Sequence, residues 1–157
     1  MIVPAGNLLD TNVVSEMMRP SPNRRVSAFL DAVAREGIGI SVISAWEILN
    51  GIHRLPDGKR RDDLHSRFKS LLEDVFEDRL FAWSHQDAAA CATLMEKKRR
   101  LGEPLDNHIP DAMIAATAYR HGLRLITRNE KEFRNIGIEV VNPWEAMSVI
   151  HQRSPDR

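Results

Sequence analysis

Short apolar runs and amphipathic stretches alternate along nearly the whole chain. The runs from the amino end through Leu9, and at Gly39 to Ile43, Leu80 to Trp83, Leu123 to Ile126 and Ile138 to Val141, have the length and composition of strands. Between them, apolar positions recur at helical spacing over Asn23 to Arg35, Ala45 to Arg54, Arg60 to Phe76, Asp87 to Leu101 and Asp111 to His121, the last closed by Gly122. Strands separated by helices join through right-handed crossovers. This predicts an α/β fold of three layers, a central and mostly parallel five-stranded sheet with helices on both faces. The RPSPN stretch around Pro20 and Pro22 reads as a loop between two helices, and LPDGKRR around Pro56 and Gly58 as another. Both are too short to separate domains, so one domain over 1–150 with a polar tail over 151–157 is expected.

Three carboxylates stand where an apolar run gives way to a helical pattern: Asp10 in NLLDTN, Glu47 in ISVISAWE and Asp111 in IPDAMIAATA. In a parallel sheet those points gather at the carboxyl ends of the strands, where ligands bind. Acids on separate elements at one edge suit Mg²⁺ or Mn²⁺, which prefer carboxylate and water oxygens. Each acid also has a local explanation. Ser44 to Glu47 and Thr127 to Glu130 both have capping-box spacing, worth about 1 kcal/mol. Asp111 after Pro110 suits the positive end of a helix, and Asp10 suits an N-cap. Capping does not explain why three strand ends share an acid while the segment after Trp83 begins Ser84-His-Gln-Asp87.

Composition narrows the classes. A chain of 157 residues, 43% hydrophobic, can bury the core of one domain. Its 22 basic and 22 acidic side chains cancel, so overall charge selects neither nucleic acid nor membrane. Cys91 is the only cysteine and sits in a helical pattern where a small apolar residue packs. The amino end lacks a basic start and no stretch approaches a membrane span, so a cytoplasmic protein without a membrane partner is expected. The histidines are scattered without helical ligand pairs, which disfavours a His-rich zinc site and makes His53, His85, His108 and His121 surface or loop residues.

Asp10-Thr-Asn-Val-Val-Ser-Glu16, Ile43-Ser-Ala-Trp-Glu47-Ile-Leu-Asn-Gly51, and Pro110-Asp-Ala-Met-Ile-Ala-Ala-Thr-Ala118 followed by Leu125-Ile-Thr-Arg-Asn129 resemble the PIN-domain family. Within it they are most similar to VapC-type toxins of toxin–antitoxin pairs, in the FitB-like branch. The order and spacing hold from the first strand to Trp144. The resemblance implies a metal-dependent endoribonuclease in which Asp10, Glu47 and Asp111 hold Mg²⁺ or Mn²⁺, supported by Thr11, Asn12 and Thr127. It departs from the family at the fourth acid, where Asn129 stands in Thr127-Arg-Asn. An amide brings no charge, and Glu132 is the candidate replacement, with an exposed helix residue as its plain alternative.

RNA needs positive charge near such a pocket, and Arg128 is the candidate by position, ahead of Arg24 and Arg25, Lys59 to Arg61 and Lys97 to Arg100. Trp46 reads as core or dimer contact rather than a base platform. The resemblance also implies a homodimer and a VapB-like antitoxin, in a heterotetramer or larger assembly, with Val26, Phe29, Leu30 and Val33 as either antitoxin groove or core. Three rivals remain to be tested. A receiver module needs a phosphoacceptor after the third strand, where Ala82-Trp-Ser-His85 stands instead. A noncatalytic PIN-scaffold interaction protein would keep the fold without metal-dependent cleavage. A structure-specific DNA nuclease would need elements for which this chain has little room.

Overall fold

The computed structural model describes residues 4–146. The first three residues of the first expected strand, and the expected tail 151–157, lie outside them. The described chain runs β1 (Asn7–Leu9), α1 (Thr11–Met17), α2 (Arg24–Val33), a 3₁₀ turn (Ala34–Glu36), β2 (Ile38–Ser41), α3 (Val42–His53), α4 (Lys59–Asp74), β3 (Leu80–Phe81), α5 (His85–Arg100), α6 (Ile109–His121), β4 (Arg124–Ile126), a second 3₁₀ turn (Glu130–Phe133) and β5 (Val140–Val141). The five strands pair in the order β3-β2-β1-β4-β5, and every pairing is parallel. The chain therefore builds one half of the sheet outward from β1 and then returns to build the other half from β4. The reversal of direction falls between β1 and β4, the place where parallel α/β sheets open a crevice for ligands.

Alternation along the strands divides the core into two layers. Leu9 on β1 and Ile126 on β4 pack against α1, α2 and α3, together with Phe68 and Phe76. Their neighbours Leu8 and Leu125 face the opposite layer of α5 and α6, with Cys91, Leu94, Ile114 and Phe133. Successive side chains on a strand point to opposite faces, so these central strands are apolar on both faces after their first residues, Asn7 and Arg124. Val26, Phe29, Leu30 and Val33 are all buried in the first layer, so core packing accounts for the α2 stripe and removes it as an antitoxin groove. Cys91 is buried as a small apolar residue. Lys98, by contrast, is not available as positive charge for RNA, unlike a solvated member of the Lys97 to Arg100 run. It is 1% exposed, its Nζ 2.6 Å from Glu103 Oε2 and 3.4 Å from the Arg134 carbonyl.

Three helices start earlier than their apolar periodicity suggests, two of them because capping residues sit upstream of it. Ser41 caps α3 by accepting the Ser44 N–H at 3.2 Å, which brings Val42 to Ser44 into the helix. Ser84 and Asp87 form a reciprocal capping box that starts α5 at His85, and α6 starts at Ile109 with Pro110 in its first turn. The edge strands β3 and β5 shrink to two residues each. Before β2 the chain turns at Gly37, where φ is +92° and an added Cβ would collide with the Arg79 guanidinium. No helix among the described residues is long and apolar enough to cross a membrane.

Candidate active site

Asp10 closes β1 at the point of strand-order reversal. It is 2% exposed and caps α1, with Oδ1 accepting the Thr11 N–H at 2.8 Å. Its Oδ2 accepts the Thr127 hydroxyl at 2.6 Å and the Asn12 amide at 3.3 Å. Thr127 follows β4, so this hydrogen bond joins the two central strands across 117 residues. The N-cap reading and the site reading of Asp10 are thus compatible, because the cap uses only part of the carboxylate's acceptor capacity. Burial pushes the Asp10 carboxyl above its ordinary value; the Thr127 and Thr11 bonds oppose the rise, and the charges of Glu47 and Glu132 add to it.

Glu47 is not a capping residue. With α3 capped by Ser41, Glu47 lies in the second turn and turns toward Thr11, whose hydroxyl is 2.6 Å from its Oε1. The Ser44 hydroxyl lies 3.2 Å from the same Thr11 oxygen. The capping box expected over Thr127 to Glu130 also fails. The Thr127 hydroxyl is held by Asp10 and accepts the Asn129 N–H at 3.1 Å, while the turn from Glu130 has no side-chain cap. In both cases a contact between distant elements takes the group that a local cap would have used.

Asp111 sits in the first turn of α6, and Glu132 reaches it from the 3₁₀ turn after β4. Glu132 is therefore not a plain solvated residue: its side chain is 32% exposed and its Oε2 is shielded from water without a hydrogen-bond partner. Asn12 links the loops by accepting the Arg128 N–H at 3.3 Å. Asn129 is exposed, and Arg128 lays its guanidinium 4.8 Å from the centre of the Trp144 ring. Trp46 is 56% exposed, which excludes core packing for it. His108, read from sequence as a surface or loop residue, lies 3.9 Å from both Asp111 and Glu132. The signal for it was its spacing three residues before Asp111, one helical turn away.

The arrangement asks for a cation. Asp10, Glu47, Asp111 and Glu132 act on one another electrostatically, and among the described residues no lysine or arginine forms an ion pair with any of them. Burial first, then the charge of Asp10, a hydrogen bond shared with Glu132 and the charges of Glu132 and Glu47, push Asp111 up to about 7. Two ionised carboxylates have no proton to share, so something positive must lie between Asp111 and Glu132: a proton at low pH, or a metal ion. Oxygen donors of this kind suit Mg²⁺ or Mn²⁺.

A raised carboxyl keeps its proton in the folded state after the unfolded state has lost it. The contribution of this carboxyl to stability without divalent ions is therefore complete below the ordinary value of 3.8 and is lost as pH rises toward about 7. The loss is on the order of 2 kcal/mol, given the coupling among the acids. Thermal unfolding in chelator is expected to give a lower Tm at pH 8 than at pH 5.5, and Mn²⁺ should raise Tm more at pH 8. Equal Mn²⁺ increments at the two pH values would contradict a shared-charge site.

Fold and site together define a small parallel α/β domain with an acidic, cation-seeking cluster at its strand-order switch. A family model described as PIN domain matches residues 8–139, and the chain belongs to the PIN-domain family. It is 38% identical to the plasmid stability protein StbB of Pseudomonas syringae pv. tomato over 139 residues, 88% of this chain and 99% of that one. It is 36% identical to the toxin FitB of Neisseria gonorrhoeae over 87% of this chain and 97% of the relative. For the VapC ribonuclease Y4jK of Sinorhizobium fredii the figures are 33% identity, 88% and 97%. Among solved structures, FitAcB from Neisseria gonorrhoeae superposes with a TM-score of 0.80 at 35% identity, over 89% of this chain and 99% of that chain. A toxin-antitoxin complex from Klebsiella pneumoniae follows at 0.67 and 28% identity, over 90% and 100%.

Proposed function

We propose that this chain is the toxin of a toxin–antitoxin pair and acts as a Mg²⁺- or Mn²⁺-dependent endoribonuclease, inhibiting translation and growth from the cytoplasm. The observation that carries the reading is the convergence of Asp10, Glu47, Asp111 and Glu132 on the β1–β4 switch point, in a homologue of a VapC ribonuclease. Asp10, Glu47 and Asp111 would hold the ion. When bound, such an ion activates water and neutralises charge building on the attacked phosphodiester. The protein's own work is positioning: Thr127 and Asn12 orient Asp10, and Thr11 orients Glu47. Asn129 brings an amide at the rim where a charge would otherwise stand.

RNA would reach the acids along the surface between α1, α3 and α4. A groove of about 220 Å³ contains Thr11 and Glu47 and shares Ser15, Met18 and Leu64 with a larger one of about 720 Å³. The larger groove carries Arg19, Lys59, Arg60 and Arg67 against the single acid Asp63, a charge balance that suits phosphates. On the other side of the acids, Arg128 on Trp144 offers a second phosphate contact. The homology to FitB and to the toxin-antitoxin complex supports a VapB-like antitoxin as partner. An acidic pocket would also attract a basic side chain from it. A homodimer, joined by antitoxin into a heterotetramer or larger assembly, completes the reading, with exposed Trp46 offering apolar surface to a second copy.

The decisive experiment incubates purified, antitoxin-free protein with total cellular RNA in Mg²⁺, Mn²⁺ or chelator, alongside Asp111→Ala. Discrete products that need the metal and disappear in the variant are the expected result. If no RNA is cut under any of these conditions, the chain is instead a binding module on the PIN scaffold. Cleavage of DNA alone would transfer the site to a different polymer.

A further inference from the structure

Asn129 removes a charge from the acid cluster, and a different kind of donor stands beside the remaining acids. His108 occupies the N-cap position of α6 with its side chain 51% exposed. Its Nδ1 is 3.9 Å from Asp111 Oδ2, and its Nε2 is 3.9 Å from Glu132 Oε1. At that length neither contact is a hydrogen bond, so the ring is not seated as a donor on either carboxylate. One ligand atom each from His108, Asp111 and Glu132 lies within 4.8 Å of the others. Donors around an ion with bonds of about 2.1 Å stand roughly 3 Å apart when adjacent and 4 Å when opposite, so small side-chain rotations close the set.

Two further features aim the group at a ligand. Glu132 Oε2 is cut off from water and has no donor, an unfavourable state unless something else satisfies the oxygen. The next residue, Phe133, is fully buried and anchors the 3₁₀ turn that presents Glu132. His108 and Asp111 are tied together by one turn of helix. The three side chains thus come from two elements that are each fixed independently of any ion.

We propose that His108, Asp111 and Glu132 form a mixed nitrogen–oxygen cation position that selects Mn²⁺ over Mg²⁺. This rests on the metal-dependent reading above and adds a ligand and an ion preference to it. Mg²⁺ keeps to oxygen donors and holds its water tightly; Mn²⁺ also favours oxygen but, at the low end of the transition-metal affinity series for N/O sites, accepts an imidazole beside carboxylates. The nitrogen compensates in ligand number, though not in charge, for the missing acid at Asn129.

The test is direct binding of Mn²⁺ alone and Mg²⁺ alone to the full chain, by calorimetry, with spin-echo EPR of the bound Mn²⁺. Wild-type protein should show coupling of Mn²⁺ to an imidazole nitrogen. His108→Ala should lose that coupling and bind Mn²⁺ about tenfold or more weakly, with Mg²⁺ affinity changed by less than roughly twofold. His108→Gln, polar and of similar reach, should lose the coupling in the same way and guards against a folding defect in the alanine variant. Mn²⁺ bound without nitrogen coupling in the wild type, or unchanged coupling and affinity in both variants, would overturn the proposal and leave the metal-dependent reading standing. A wild-type chain that binds neither ion would overturn both.

Discussion

Asp10→Asn is expected to lower metal-dependent RNA cleavage by at least about 10²-fold, because a direct ligand matters no less than the outer groups that orient it. The fold should survive. Asparagine is as good an N-cap as aspartate, so the Thr11 N–H keeps an acceptor. The Thr127 hydroxyl, now 2.6 Å from a carboxylate oxygen, can rotate to meet an amide. Removing one of four clustered negative charges also relieves repulsion, so Tm in chelator should stay level or rise. Cleavage assays with Mn²⁺ and thermal unfolding in chelator separate the outcomes. Cleavage at the wild-type rate would remove Asp10 from the site, whereas a large drop in Tm would mean that its capping and strand-bridging role outweighs its chemistry.

The second large effect concerns stability alone. Asp87 is fully buried and accepts three hydrogen bonds at 2.7 Å, from the Ser84 N–H, the Ser84 hydroxyl and Arg120 Nε. It starts α5 and ties it to α6, the helix that carries Asp111. Asp87→Ala removes the partner of the partly exposed Arg120 and breaks the capping box together, and should cost about 2–4 kcal/mol. For a chain of this length that corresponds to a drop in Tm of roughly 10 °C. Burial alone would raise the Asp87 carboxyl; the Arg120 and Ser84 hydrogen bonds outweigh it and hold it below the ordinary 3.8. Its contribution is therefore complete above that value and is lost as pH falls through the lower, folded one. The wild type should lose stability in acid that the variant has already lost. A double-mutant cycle with Arg120→Ala measures the coupling, and additive losses would show that the pair acts only as two separate side chains.

Sequence carried the fold well where burial is two-sided. β1, β2 and β4 are largely apolar because helices cover both faces; β2 and β4 lie within one or two residues of their expected ends, whereas β1 ends at Leu9 as expected but starts only at Asn7. The edge strands were overextended, since Leu80 is 43% exposed and a two-residue pairing leaves little periodic signal. The acids at the strand ends were legible as a group because topology alone brings such ends together. Their local roles were not. Ser44 to Glu47 has the spacing of a cap, and only the Thr11 hydroxyl, 36 residues away in sequence, reveals that Glu47 is held for another purpose. Lys98 is hidden for a similar reason: a basic run at a helix end reads as solvated until Glu103 and the Arg134 carbonyl close over it. Glu132 kept two readings and His108 read as a surface or loop residue, because their 3.9 Å approach arises only when the elements on either side of β4 fold together.

The sheet order has a consequence for how the protein is made. β1, synthesised first, lies at the centre of the sheet, and its partner β4 is among the last strands to be added. Asp10 cannot acquire its Thr127 bond, nor Asp111 and Glu132 their places beside it, until most of the chain has left the ribosome. Domains begin to fold from the amino end during synthesis, but contacts this distant in sequence close late. Under the proposed activity, a complete cluster formed early would endanger the message and ribosome producing it. Here the route of the chain withholds the complete acid cluster from partly made copies until the last central strand docks.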